Sequence, residues 1–491
     1  MKKMTLVASI ALFILVPPLR AQINLLHEFA GGNADGKNPT CDLLISGSTI
    51  FGTTSKGGKS DNGTVFKMQT NGTGYTLLHS FSGGTADGRD PAGSLIISGS
   101  TLYGMTPYGG KLDRGTIFKM ETDGNGYTLL HSFVGAPDDG QYPNDNLILS
   151  GSTLYGTTAW GGHSDNGTIF KIQTDGSGFT LLHEFPGVYA YGSPSGSLLL
   201  SESILYGMTY LGGDNHLGAV FKIQTNGSGF TFLYSFFGQT GLIDDRDGQK
   251  PGGSLVLSGS TLFGMTSGGG VGGVSGYGTI FKVQTDGTGY KLLHEFPDNA
   301  AEGRYPMGSL ILCGSTLFGM AQSGGINDFG TLFNIETDGS GFTLQHKFVG
   351  GADDGAHPLA SLVLSGSTLY GTTFRGGDSN IGVIFSLPLP IHIMTVLAER
   401  QELKAFSILR QYGQIQFTVE ISNIPASYYC ILRRKGSGDF VLLRTIAPSE
   451  LQNNRFQMQD KYLDKGIPYT YRVEAYNISG QLVGLPEEKT I

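Results

Sequence analysis

Short runs of alternating apolar and polar residues dominate the chain. Thr101 to Thr106, Thr116 to Glu121 and Tyr127 to Phe133 are typical, and Ser94-Leu95-Ile96-Ile97 precedes them. Period-two alternation over four to eight residues predicts half-buried strands. The runs are separated by Ser98-Gly99-Ser100, by a loop containing Gly109-Gly110, and by Thr122-Asp123-Gly124-Asn125-Gly126. Asp-Gly supplies the positive φ of a tight hairpin, so the last of these predicts a turn. No stretch between them has helical periodicity.

The pattern repeats. Leu102-Tyr103-Gly104 recurs as Ile50-Phe51-Gly52, Leu154-Tyr155-Gly156, Leu205-Tyr206-Gly207, Leu262-Phe263-Gly264, Leu317-Phe318-Gly319 and Leu369-Tyr370-Gly371, with glycine spacings of 52, 52, 51, 57, 55 and 52. Gly115-Thr116-Ile117-Phe118 and Leu77-Leu78-His79-Ser80-Phe81 mark two further positions, each with seven copies. Four antiparallel strands in a repeat of about fifty residues predict a β-propeller blade. The last unit stops after its third strand, at Phe385, whereas Asn24 to Phe29 is a fourth strand standing alone. Joined, they complete one blade and leave no open sheet edge. The expectation is therefore all-β: a seven-bladed propeller over residues 22–386, closed by its N-terminal strand.

The recurring Leu-Tyr-Gly-Thr-Thr, Gly-Gly, Gly-Thr-Ile-Phe-Lys and Thr-Asp-Gly-x-Gly pattern, over roughly residues 24 to 385, resembles the GloVer tandem repeats of bacterial exported proteins. The resemblance brings no catalytic residues with it.

The start of the chain agrees with export. Met1-Lys2-Lys3 precedes an apolar run from Leu6 to Val16, then Pro17-Pro18 and a cleavage-like Leu19-Arg20-Ala21. Residues 1–21 read as a signal peptide, and no segment is long and apolar enough to span a bilayer. The expected location is secreted or at the cell surface. Glycine accounts for 78 of 491 residues, about twice ordinary usage, which suits a turn-rich array. The net charge of -8 excludes a generally basic nucleic-acid binder. Cys41, Cys313 and Cys430 have no disulfide or metal spacing and read as free thiols.

Composition changes at Leu387-Pro388-Leu389-Pro390, and residues 387–394 read as a linker. Beyond it, residues 395–491 show further alternating strands. Gly466-Ile467-Pro468-Tyr469 through Asn477 resembles the penultimate strand of fibronectin type III domains, which implies a β-sandwich with Tyr469 as its corner tyrosine.

In a four-stranded meander, alternate connections share an edge. The Gly-Gly loops and the blade-to-blade loops therefore fall on one face, with the length variation at Gly241 to Asp247 and Gly268 to Gly276. Variable loops on a rigid frame are where binding usually resides. Aromatic residues gather there: Tyr108, Trp160, Tyr210 and Phe374 near the double glycines, and Tyr142, Tyr305 and His357 before the loop prolines. Such rings suit sugar faces or partner side chains; packing on neighbouring loops is the alternative.

Asp35, Asp87, Asp139, Asp247, Glu302 and Asp354 precede loop glycines, with Tyr191 in the seventh copy; they read as turn residues bonding their own loops. His27, His79, His131, His183, His294 and His346 share one position, with Tyr234 in the seventh. They sit too far out on separate blades to share a zinc ion, so they read as packing residues. Asp244, Asp245 and Asp247 form the local calcium candidate but lack the spacing of a known loop; otherwise no cofactor is expected.

The reading is an exported, non-enzymatic binding or adhesion protein, whose partner is a polysaccharide or a cell-surface protein. The alternatives are a polysaccharide lyase or hydrolase using Asp244, Asp245, His163 and His216, and a structural surface component.

Overall fold

The computed structural model describes residues 23–186, 193–237, 247–270, 276–297 and 301–389, and the backbone of seven strands between 405 and 490. Seven four-stranded antiparallel sheets form the propeller. Blade 1 consists of Leu44–Ser46, Thr49–Thr54, Thr64–Gln69 and Thr76–Ser80. Blades 2 to 6 repeat this order, beginning at Ile96, Ile148, Pro194, Gly248 and Ile311. Blade 7 takes Val363–Ser365, Thr368–Thr373 and Val383–Pro388 from the end of the array and Asn24–Glu28 from its beginning. Leu25 lies opposite Phe385 and Glu28 opposite Val383, so the ring is closed as expected. The last of these strands runs on to Pro388, and Leu387 and Leu389 are buried beside Ile23, inside the stretch read from sequence as linker.

The repeat motifs explain the packing. Gly104 lies opposite Phe118 in the sheet. A Cβ there would meet Phe118 Cζ at 2.6 Å and Leu95 Cδ2 at 2.9 Å. The Leu-Tyr-Gly glycine thus vacates the space that the phenylalanine of the next strand fills. The apolar cores lie between blades: Phe51 and Val65 of blade 1 pack with Leu102, Phe118 and Met120 of blade 2. Equivalent clusters occupy every junction, including that between blades 7 and 1, where Phe29, Leu43, Phe66 and Ile384 meet.

The third and fourth strands are joined through a bulge in every blade, as where Ile117 faces His131 but Phe118 faces Leu129. A bulge increases local twist. The hairpins follow their sequence signal: Asp123 Oδ1 accepts the Asn125 N–H at 2.9 Å, and Gly124 has φ 98°.

The C-terminal strands form two antiparallel sheets. One contains Ala405–Gln411, Gln414–Glu420 and Arg455–Asp460. The other contains Val441–Ile446, Tyr428–Lys435, Tyr469–Tyr476 and Glu487–Thr490. The side chain of Tyr469, the expected corner tyrosine, lies outside the described residues, as do Tyr191 and the segment 1–22. No described helix is long and apolar enough to cross a membrane.

Candidate functional site

Two-residue ribbons join the blade-to-blade loops to the Gly-Gly loops. Gly88-Arg89 pairs with Tyr108-Gly109, Gly140-Gln141 with Trp160-Gly161, Gly36-Lys37 with Lys56-Gly57, and Gly355-Ala356 with Arg375-Gly376. Both loop sets therefore share one face. Close approach enforces the first of the paired glycines: a Cβ on Gly109 would lie 2.4 Å from the Asp87 carbonyl oxygen. At the base of four of these loops, the Oγ1 atoms of Thr54, Thr106, Thr158 and Thr266 bond both a loop carbonyl and the threonine of the third strand.

The acidic and histidine series belong together. His79 Nε2 lies 3.2 Å from Asp87 Oδ1, and the same pairing joins His27 to Asp35, His131 to Asp139 and His346 to Asp354. In blade 4, the Tyr234 hydroxyl donates to Asp247. Asp87 also accepts the N–H groups of Ser82 and Gly88, at 2.7 and 2.8 Å. Burial pushes the Asp87 carboxyl up, but the bonds from His79, Ser82 and Tyr127 outweigh it and leave it below the ordinary value. Five of the six histidine rings stack on a ring of the next blade, as His79 does on Tyr127 at 4.0 Å and His131 on Phe179 at 3.9 Å, whereas His346 meets Phe348 edge-on at 4.9 Å. These residues are loop clasps at blade junctions. The turn role read for the acids and the packing role read for the histidines both appear; their mutual pairing was missed, although the constant spacing of eight residues was its signal.

The aromatic candidates occupy three positions. Tyr108 and Trp160 lie in the ribbons and are 37% and 43% exposed. Tyr210 and Phe374 lie one residue earlier in their loops, where their N–H groups donate to the carbonyls of Ser193 and His357. Tyr142, Tyr305 and His357 precede loop prolines with φ 56°, 56° and 55°. Positive φ is uncommon for such bulky residues. Each is held by its own N–H bond to the preceding blade, as Tyr142 to the Arg114 carbonyl at 2.9 Å.

Packing claims some of these rings. Tyr108 meets Tyr142 edge-on at 5.3 Å, with Arg89 over its other neighbourhood at 4.4 Å. Phe374 is half-buried beneath Arg375, and His357 meets Phe329 edge-on at 5.6 Å. Tyr305 meets Tyr277 at 5.7 Å yet stays 38% exposed; Tyr210 is 37% exposed. Trp160, Tyr108 and Tyr210 belong to the consecutive blades 2, 3 and 4. The rings of Tyr277 and Phe329 and the covering arginines were not singled out from sequence, because none of these residue types recurs in most copies.

The proposed catalytic grouping does not assemble among the described residues. His163 and His216 are exposed on separate Gly-Gly loops. Asp244 and Asp245 lie outside the described residues, and Asp247 accepts the Tyr234 hydroxyl and the Phe237 N–H. No group of three His, Cys, Asp or Glu able to hold a metal occurs among the described residues. Cys41 is buried, and burial pushes its thiol up to about 11, away from the thiolate that reacts or binds metal.

A second feature lies where the innermost strands begin. Seven equivalent residues, Asp42, Ser94, Asn146, Ser197, Ser254, Ser309 and Ser361, form a hydrogen-bonded girdle from blade to blade. The N–H of Ser94 donates to Asn146 Oδ1, that of Asn146 to Ser197 Oγ, and that of Ser197 to Ser254 Oγ. Ser254 donates to Ser309 Oγ, Ser309 to Ser361 Oγ, and Ser361 to Asp42 Oδ1. Backbones touch here: a Cβ on Gly308 would lie 2.5 Å from the Ala360 carbonyl oxygen.

The Gloeobacter/Verrucomicrobia repeat model matches residues 13–148, 98–271 and 242–408. No curated protein matches the chain. Among solved structures, a putative 6-phosphogluconolactonase from Bacteroides fragilis is 14% identical, with 82% of this chain and 97% of that chain covered and a TM-score of 0.42. The polysaccharide lyase Uly1 is 11% identical, with 76% and 95% covered and a TM-score of 0.45. Likenesses at this level carry nothing about activity.

Proposed function

This chain belongs to the Gloeobacter/Verrucomicrobia repeat family, and from that premise we propose that it is an exported binding protein that takes a polysaccharide on the loop face of its propeller. One observation carries the reading: Tyr108, Trp160 and Tyr210, from three consecutive blades, remain more than a third exposed on loops whose backbones are pinned by paired ribbons and interblade hydrogen bonds. Solvent-facing rings on an ordered backbone lose little entropy when a sugar face stacks on them. The signal-like segment 1–21 supports export. Among the described residues, the acidic and histidine side chains around the face mostly bond their own loops, as Asp87 does, which favours binding.

Co-sedimentation of the purified protein with a panel of polysaccharides tests this. One polymer should retain it saturably, and Trp160→Ala should weaken retention at least tenfold without altering the thermal midpoint. Chain cleavage by the wild-type protein would favour the lyase or hydrolase reading. Retention by no polymer would contradict the proposal for the polymers tested.

A further inference from the structure

We propose that Asp42, Ser94, Asp145 and Asn146, at the axis of the propeller, form a site for one hard, oxygen-seeking cation of the calcium type.

The sequence copies show where the symmetry is broken. Five innermost strands begin Pro-x-Gly-Ser or Pro-x-Ala-Ser, as in Pro91-Ala92-Gly93-Ser94 and Pro358-Leu359-Ala360-Ser361. Two depart, with Cys41-Asp42 and Asp145-Asn146. Both departures add a carboxylate at the axis, in blades 1 and 3. Asn146 Nδ2 donates to Asp42 Oδ2 at 3.2 Å, which brings the two altered positions together across blade 2. Thr157 Oγ1 donates to Asp145 Oδ2 at 3.4 Å.

The girdle supplies the independent observation. It passes through six junctions and stops at the seventh, between Asp42 and Ser94. Elsewhere the serine hydroxyl faces the N–H of the preceding blade. Ser94 is 6% exposed, and its Oγ has no hydrogen-bond partner among the described residues. A buried hydroxyl with nothing to bond costs free energy, and the equivalent serines of blades 4 to 7 each accept an N–H from the preceding blade, which for Ser94 is the blade that carries Asp42.

Charge points the same way. Lysine and arginine pair with acids of the loop face, as Lys56 with Asp90 and Arg89 with Asp113. Among the described residues none forms an ion pair with Asp42 or Asp145. Two carboxylates, an amide and a hydroxyl are an oxygen donor set, with water completing the six to eight ligands that calcium takes. The ion would bridge blades 1, 2 and 3 at the interrupted link. This site is independent of what the loop face binds.

The test uses the full chain after dialysis against a chelator. Calcium is added alone, and binding is followed by equilibrium dialysis and by thermal unfolding. A saturable rise in the thermal midpoint, with one ion bound per chain, is expected. Asp42→Asn and Asp145→Asn should each weaken binding at least tenfold, whereas Asp244→Asn with Asp245→Asn should leave it unchanged. If an axial carboxylate variant does not fold, Ser94→Ala keeps both carboxylates and should still weaken binding. No calcium-dependent rise in the wild type, or unchanged binding in the foldable axial variants, would overturn the proposal.

Discussion

At Gly104 a single hydrogen side chain determines how the strands of one blade fit. Ala at this position places a methyl group against Phe118 and Leu95. Gly104→Ala is expected to destabilise the propeller by about 1–3 kcal/mol, the usual cost of overpacking, measured by denaturant unfolding. His183 makes a second prediction. Its ring stacks on Phe230 at 3.7 Å, and its Nε2 is buried without a partner among the described residues. Burial lowers its value from 6.5 to about 4, and the same desolvation lowers His294 to about 4. The folded protein therefore holds the His183 ring neutral while the unfolded chain takes up a proton there; at His294 the Glu302 carboxylate, 3.1 Å from Nε2, opposes the effect of burial. Stability should be full above pH 6.5 and fall as pH drops from about 6.5 to 4. Thermal midpoints across that range should show the fall, and His183→Phe should make it shallower. A midpoint that stays flat for the wild type would contradict this account.

Among elements, the loops of this face depend on the histidine and acid clasp. Asp87→Ala would leave the N–H groups of Ser82 and Gly88 without their acceptor and His79 without its partner. Unpaired buried donors cost about 1–3 kcal/mol each where water cannot replace the bond. Amide exchange across residues 82–90 should accelerate, while the hairpin at Asp123-Gly124 on the opposite face should not change. This clasp shows what sequence reading captured and what it left out. The strands were legible because apolar alternation recurs seven times, and the hairpins because Asp-Gly has a fixed turn chemistry. The His79 and Asp87 pairing was hidden because each residue already had a sufficient local role. The axial departures at Asp42 and Asp145 were hidden for another reason: the repeat markers lie in the second, third and fourth strands, and the innermost strand was read for alternation alone. Comparing the seven copies after each loop proline exposes them.

For the whole molecule, closure is carried by residues 24–28 against residues 383–386 and by the apolar junction containing Phe29, Leu43 and Ile384. Deleting residues 23–29 leaves blade 7 with three strands and a hydrophobic junction uncovered. Such a variant should lose its single cooperative transition and aggregate, as scanning calorimetry and light scattering would register. The closed ring holds Tyr108, Trp160 and Tyr210 on one face at fixed spacing. Trp160 is the only tryptophan in the chain, so it reports on that face without interference. The most direct measurement is a titration of the purified protein with the polymer found by co-sedimentation, following tryptophan emission. The account predicts a saturable change in emission whose midpoint matches the binding isotherm, with binding weakened in Tyr108→Ala and Tyr210→Ala. Saturable binding with unchanged emission, retained in all three aromatic variants, would place the ligand elsewhere and contradict the central claim.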